Sequence, residues 1–230
     1  MANVEHSVLT GSDLHESKGV AAAANNRVFV TNGAGSGSFQ QVPAAAIAAA
    51  GVLVFQAQLY HIRDERSSGT DSDTLTVSTW NTRALNTEVT DELTVTTSGN
   101  QMSLAAGTYY IEVNASTYFQ GTYVHNTTTN QIFSKLRLRN VTDSTTLING
   151  QSWTFMHADD GGGNDCACSI TAPASLSGRF TLAGTKSIEV QNWVVNNMGA
   201  GVLAKVTKSG KAISSGENEV YTDVRLWKIA

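Results

Sequence analysis

The sequence predicts an all-β protein, an antiparallel sandwich or barrel preceded by an extended N-terminal arm with a short helix. Three observations carry this. Beyond residue 52, apolar and polar residues alternate with a period of two through short runs, the pattern of strands with one buried face. Gly, Asn and Asp punctuate these runs at Gly69, Asn100, Gly107, Asp143, glycines 161–163 and Gly184. Charged residues make up only 15% of the chain, against about 25% in an average globular protein. Thr, Ser and Asn supply the polarity instead, and Thr beside Val, Ile, Tyr and Phe suits a pleated, half-buried surface.

Residues 1–51 read as the arm. "NNRVFVTNG" offers Val28–Thr31 as a strand that turns at Asn32-Gly33. "PAAAIAAAG" places Pro43 in a first helical turn and Gly51 at the stop, a helix too short to be stable alone. The large apolar side chains here, among them Val8, Leu9, Leu14, Val20, Val28, Phe29 and Val30, are too few and too spread out to form a core of their own. The arm therefore reads as an attachment device, held by its own β domain, by identical copies or by a larger assembly. Asp13 and His15 offer ion pairs to such a partner. Exposed pairs contribute only about 0–1 kcal/mol each, so backbone pairing and apolar contact should dominate.

Residues 52–230 read as the β domain, with roughly nine or ten strands. "TLTVST" sets Leu75 and Val77 on one face, and "TYYIEVNAS" sets Tyr109, Ile111, Val113 and Ala115 against Tyr110, Glu112 and Asn114. "KLRLRN" turns Leu136 and Leu138 inward and Lys135, Arg137 and Arg139 outward; "KSIEVQNWVV" repeats the period. "EVYTDVRLWKI" puts Val220, Val224 and Leu226 on one side of a last strand. The segment is long enough to bury one sizeable core.

A net charge of −4 without a Lys/Arg cluster argues against a nucleic-acid partner held through phosphates. The start has neither a basic nor an apolar leader region, and the longest apolar run, residues 42–55, is Ala-rich. It is shorter than the roughly 20 residues a membrane span needs, so no secretory signal and no membrane partner are expected. The cysteines, Cys166 and Cys168, are too close on a strand for an unstrained bridge.

"HADDGGGNDCAC" gathers His157, Asp159, Asp160, Asp165, Cys166 and Cys168. Zinc sites favour CxxC pairs, and calcium loops need alternating acids that the Gly run interrupts. The favoured reading is a hairpin tip between strands at 153–156 and 166–170, with the cysteines sharing one face and no metal or other cofactor. His61, His125 and His157 are dispersed, no G-x-S-x-G elbow occurs, and paired carboxylates such as Asp64–Glu65 are strand neighbours on opposite faces. The expectation is a protein without enzymatic activity. "YFQGTYVHNTTTNQIF" combines aromatic rings with amides and hydroxyls, so Tyr118, Phe119, Tyr123, His125 and Asn126 form a candidate sugar-stacking loop. The plainer reading is a polar loop capping the sandwich.

Two stretches resemble known proteins. Residues 6–40, "HSVLTGSDLHESKGVAAAANNRVFVTNGAGSGSFQ", resemble the N-terminal segment of tailed-bacteriophage virion proteins such as head fibres, capsid decoration proteins and tail fibres. "NTRALNT", "LAAGTYYIEV", "KLRLRNVTD", "SGRFTLAGTKSIEVQN" and "EVYTDVRLWK", in that order, resemble the tumour-necrosis-factor-like jelly roll of phage fibres and spikes, a fold that usually forms trimers. The resemblance implies a homotrimeric head fibre or capsid decoration protein on the virion surface, its arm bound to the major capsid protein or another virion protein. The alternative it implies is a receptor-binding tail fibre whose knob loops bind host surface glycans.

Overall fold

The computed structural model describes residues 28–31, 37–40, 58–123, 130–157, 166–199 and 203–229, and the chain divides into two compact units, Met1–Gln56 and Ala57–Ala230. In the first unit β1 (Val28–Thr31) pairs antiparallel with β2 (Gly37–Gln40), with Thr31 opposite Gly37. The strand over Val28, Phe29 and Val30 is as expected. Residues 32–36, with the expected Asn32-Gly33 turn, lie outside the described residues. Val8, Leu9, Asp13, Leu14, His15, Val20 and the helix expected near residue 43 lie outside the described residues.

The second unit contains β3 (Gln58–Arg66), β4 (Trp80–Thr82), β5 (Thr87–Asp91), β6 (Thr96–Ser98), β7 (Gln101–Leu104), β8 (Gly107–Tyr123) and β9 (Asn130–Asn140). These are followed by β10 (Thr145–His157), β11 (Cys166–Leu182), β12 (Lys186–Asn196), β13 (Val206–Lys208) and β14 (Glu219–Lys228). They form two six-stranded antiparallel sheets. The front sheet runs β11-β8-β14-β3-β5, with β13 on β8; the back sheet runs β10-β9-β12-β7-β6, with β4 on β12. Number the principal strands in chain order: β3, β7, β8, β9, β10, β11, β12, β14. The front sheet then reads 6-3-8-1 and the back sheet 5-4-7-2. That interlocked order is a double-sheet jelly roll.

Period-two alternation places the core between the sheets. Ile111 and Val113 of β8, Leu136 and Leu138 of β9, Ile188 and Val190 of β12, and Val224 and Leu226 of β14 are buried in one main cluster. A second cluster, around Phe119, Ile132, Val194 and Met198, fills the end reached by the C-terminal part of β8.

Three expectations change. In β14 a bulge between Val220 and Thr222 shifts the register against β3. One extra residue reverses the faces, so Val220 is 44% exposed while Tyr221 and Thr222 are buried with Val224 and Leu226. "TLTVST" is not a strand. Thr74 makes a single bridge to Lys208, and beyond it Asn81 accepts from the Thr76 amide and donates to the Thr76 and Thr79 carbonyls. This side-chain clamp turns the chain away from the sheet, so Leu75 is buried and Val77 is 40% exposed. Finally, the strands at 153–156 and 166–170 do not pair as a hairpin: β10 belongs to the back sheet and β11 to the front.

The segment between β13 and β14 passes tightly over the Tyr221 ring. A Cβ at Gly210 would lie 1.8 Å from Tyr221 Cδ1, whereas at Gly184 nothing lies within 4 Å. Urea unfolding should show Gly210→Ala destabilised by about 3 kcal/mol or more through overpacking. Gly184→Ala should stay within about 0.5 kcal/mol of the parent.

Candidate functional site

Two kinds of polar construction stand out in the jelly roll, one inside it and one on its front face. Inside is Arg83, just after β4 and wholly buried. Its Nε donates to Thr222 Oγ1 at 3.0 Å, one terminal nitrogen to the Ser116 carbonyl at 2.9 Å, and the other to the Ser209 and Tyr221 carbonyls at 3.1 and 2.8 Å. Burial lowers its pKa to about 10, against the opposing pull of Asp64 and Asp73, so it stays charged at neutral pH. Asp64, also buried, accepts from Arg66 Nε at 2.7 Å, Ser72 Oγ at 2.5 Å and Asn86 Nδ2 at 3.3 Å. Its neighbour Glu65 points to the other face and accepts from Asn218. The Asp64–Glu65 pair is thus split across the strand, and Asp64 is engaged structurally.

The outward face of the front sheet is the larger candidate. Register aligns Ser175, Asn114, Asp223 and Arg63 in one row across β11, β8, β14 and β3, and Ser177, Glu112, Arg225 and His61 in the next. Asp223 is the hub of these rows, 2.9 Å from His61 Nε2, 2.8 Å from Arg63 Nε and 3.1 Å from Arg225 Nε. Burial opposes its ionisation, but the bonds from His61 and Arg63 outweigh this and hold the carboxyl below the usual carboxylate range. Below this patch the Tyr110 and Trp227 rings meet at 6.0 Å. On edge strand β11 the outward positions Ala167, Ser169, Thr171, Pro173 and Ser177 are small or rigid and exposed, and the exposed Arg179 follows them. Pro173 is compatible with an edge position because it removes a ladder donor there. A shallow cleft of about 410 Å³ runs between Asn114, Thr171, Pro173, Val220 and Asp223.

The sequence-predicted ligand loop is not a loop where it is described. Tyr118, Phe119 and Tyr123 belong to β8; Phe119 is in the core, and Tyr118 is buried with its hydroxyl donating to Gln120 Oε1 at 2.8 Å. Strand pairing with β11 and β13 extends β8 this far, which a reading of polar residues as loop overlooks. Tyr123 packs against the second cluster beside Phe155. His125 and Asn126 lie outside the described residues, as do Asp159, Asp160 and Asp165. Of the donor-rich stretch, His157 ends β10 in the back sheet, while Cys166 and Cys168 begin β11 in the front sheet. Cys168 packs on the second cluster.

Arg83 was not foreseen as a structural residue. Its signal was a lone cation within "NTRAL", followed by two residues that are both buried. Arg83→Met would leave the Ser116, Ser209 and Tyr221 carbonyls without this donor. Chemical unfolding should show a loss of about 3–5 kcal/mol. Arg83→Lys should recover only part of it, because an ammonium cannot span the fork that reaches both strands.

No family model matches the sequence, and no curated protein matches it. Among solved structures, the chain is similar to the globular domain of zebrafish complement 1qA protein, at 11% identity over 76% of this chain and 98% of that one, with a TM-score of 0.39. It is also similar to the Eiger TNF from S. frugiperda, at 9% identity over 76% and 93%, with a TM-score of 0.42. These likenesses are distant, and the jelly-roll assignment rests on the strand order.

Proposed function

We propose that this chain is a non-enzymatic structural protein of a tailed-bacteriophage particle. In this reading it is a homotrimer of jelly-roll knobs carried on the virion surface by the N-terminal arm, as a head fibre or capsid decoration protein. The observation that carries the self-association is the outward face of the front sheet. Small exposed residues along β11 let another sheet approach closely, and Tyr110, Val220 and Trp227 offer apolar anchors beside the Asp223 ion cluster. Buried aromatic anchors of this kind dominate protein interfaces, and a stable interface covers about 1,200–2,000 Å². The particle role is supported by the resemblance of residues 6–40 to phage virion arms, with the major capsid protein or another virion protein as the partner. The receptor-binding alternative through a knob loop has less support, since Tyr118 and Phe119 are strand residues turned away from solvent.

Light scattering of the full chain should give three times 24.4 kDa, and Pro173→Arg should shift the mass towards the monomer. A stable monomer of the parent chain would refute the trimer. Removing residues 1–51 should leave a folded knob that no longer binds particles lacking this protein. Undiminished binding by the truncated chain would sink the attachment assignment.

A further inference from the structure

The outward face of the back sheet is built from different chemistry. Register sets Trp80, Trp193, Lys135 and Ser152 in one row across β4, β12, β9 and β10. Val195, Phe133 and Thr154 form the next row. Neighbouring strands lie about 4.8 Å apart, so these side chains stand as adjacent posts on one surface. A recess of about 360 Å³ opens among Phe133, Lys135, Ser152, Trp193 and Val195, within the size range of small-ligand sites, about 300–1,000 Å³. Trp193, Phe133 and Val195 are each partly exposed on it.

The aromatic floor is braced from the side by its neighbours on the same face. Trp80 meets Trp193 edge to face at 5.6 Å, and the Arg137 guanidinium lies 4.0 Å from the centroid of Trp80. Arg137 Nε in turn donates to Gln191 Oε1 at 2.7 Å, and Gln191 donates to Glu189. Arg137 is therefore committed to the scaffold. Lys135 is not: among the described residues its ammonium has no carboxylate partner, and it stands beside Trp193 in the row. The recess thus offers a preorganised indole face, an available cation and the Ser152 hydroxyl.

We propose that this recess binds one ring of an acidic sugar, a pyranose bearing a carboxylate. The apolar C–H face of such a ring lies on Trp193, with Phe133 and Val195 around its edge. Its carboxylate meets Lys135 in a charge-assisted hydrogen bond, and a ring hydroxyl meets Ser152. A nucleic-acid strand fits less well, since it needs a track of available cations along its phosphates and Arg137 is engaged within the sheet. The site needs neither the arm nor the trimer, and it lies on the sheet opposite to the proposed self-association face. Failure of the attachment or mass experiments would leave it standing, and its own failure would leave them standing.

The test is an array of neutral, uronic-acid and sialic-acid oligosaccharides probed with the full chain. It is paired with a tryptophan-fluorescence titration using trigalacturonic acid and its methyl ester, with an oligothymidylate as control. The expected result is binding concentrated on acidic glycans, with the acid bound about tenfold more tightly than the ester. Lys135→Gln should erase that preference while keeping the weaker binding of the ester. Trp193→Ala should abolish both, and Trp193→Phe, which keeps a ring, should retain part. A silent array, equal affinity for acid and ester, binding undiminished in Trp193→Phe and Lys135→Gln, or binding of the oligothymidylate alone would each overturn the proposal.

Discussion

The two sheets are tied together by one buried guanidinium. The Arg83 amide donates to the Val190 carbonyl of β12 in the back sheet, while its side chain reaches Ser116 of β8 and Tyr221 and Thr222 of β14 in the front sheet. The bulge in β14 makes this necessary. Where Val220 and Thr222 slip out of step with β3, the Tyr221 carbonyl loses its regular ladder geometry, and an unpartnered buried carbonyl costs about 1–3 kcal/mol. Arg83 supplies the missing donor and extends it to Ser209 after β13. The bulged carbonyl and the residue after β13 thus meet on that group, beside the close pass of Gly210 over the Tyr221 ring.

Arg83 also marks a polar layer that divides the interior. In β8 the inward series is Ala115, Thr117, Phe119; in β9, Leu136, Ser134, Ile132; in β12, Val190, Asn192, Val194. Each runs apolar, polar, apolar, and register places the middle members of β9 and β12 near one another. Thr117 Oγ1 contacts Ser134 Oγ at 3.0 Å and Asn192 Oδ1 at 3.1 Å, and Asn192 Nδ2 donates to Ser134 and to the Lys135 carbonyl. Such a layer adds little net stability, but a register slip would strand its members without partners. We regard it as the feature that aligns β8, β9 and β12, and hence the Trp193–Lys135 row on the outside.

Strand identity was legible in the sequence wherever one face is simply apolar. "KLRLRN" and "TYYIEV" specify their faces because leucine, isoleucine and valine at alternate positions admit one burial. The misreadings share a cause: they occur where a polar residue has its structural partner off its own strand. Asn81 closes on Thr76, Thr222 meets Arg83, and the polar-looking end of β8 is paired on both sides by β11 and β13. Local alternation carries no information about such partners. The crossing from β10 to β11 was hidden for a similar reason, since a Gly-rich connection looks alike whether the next strand returns to the same sheet or enters the other. The rows that build the recess follow from the pairing of β4, β9, β10 and β12, and no single segment reveals them.

The two outward faces make different demands, and the residues divide accordingly. On the front face Asp223 gathers His61, Arg63 and Arg225 into one cluster and β11 presents small side chains from Ala167 to Ser177, so the middle of the face can be covered without breaking those pairs. On the back face Arg137 and Glu189 are engaged with Trp80 and Gln191, but among the described residues Lys135 stands beside the partly exposed Trp193 indole without an acid. Covering that ammonium with an apolar surface would be unfavourable, whereas meeting it with water or an anion would not. A sheet face with an unmatched cation beside a partly exposed indole suits exposure to solvent and small acidic ligands. The opposite face, its central charges gathered around Asp223, suits contact with another copy of the chain. The same sandwich can therefore assemble through one sheet and keep the other open, and the segregation follows from which side of each strand its charges occupy.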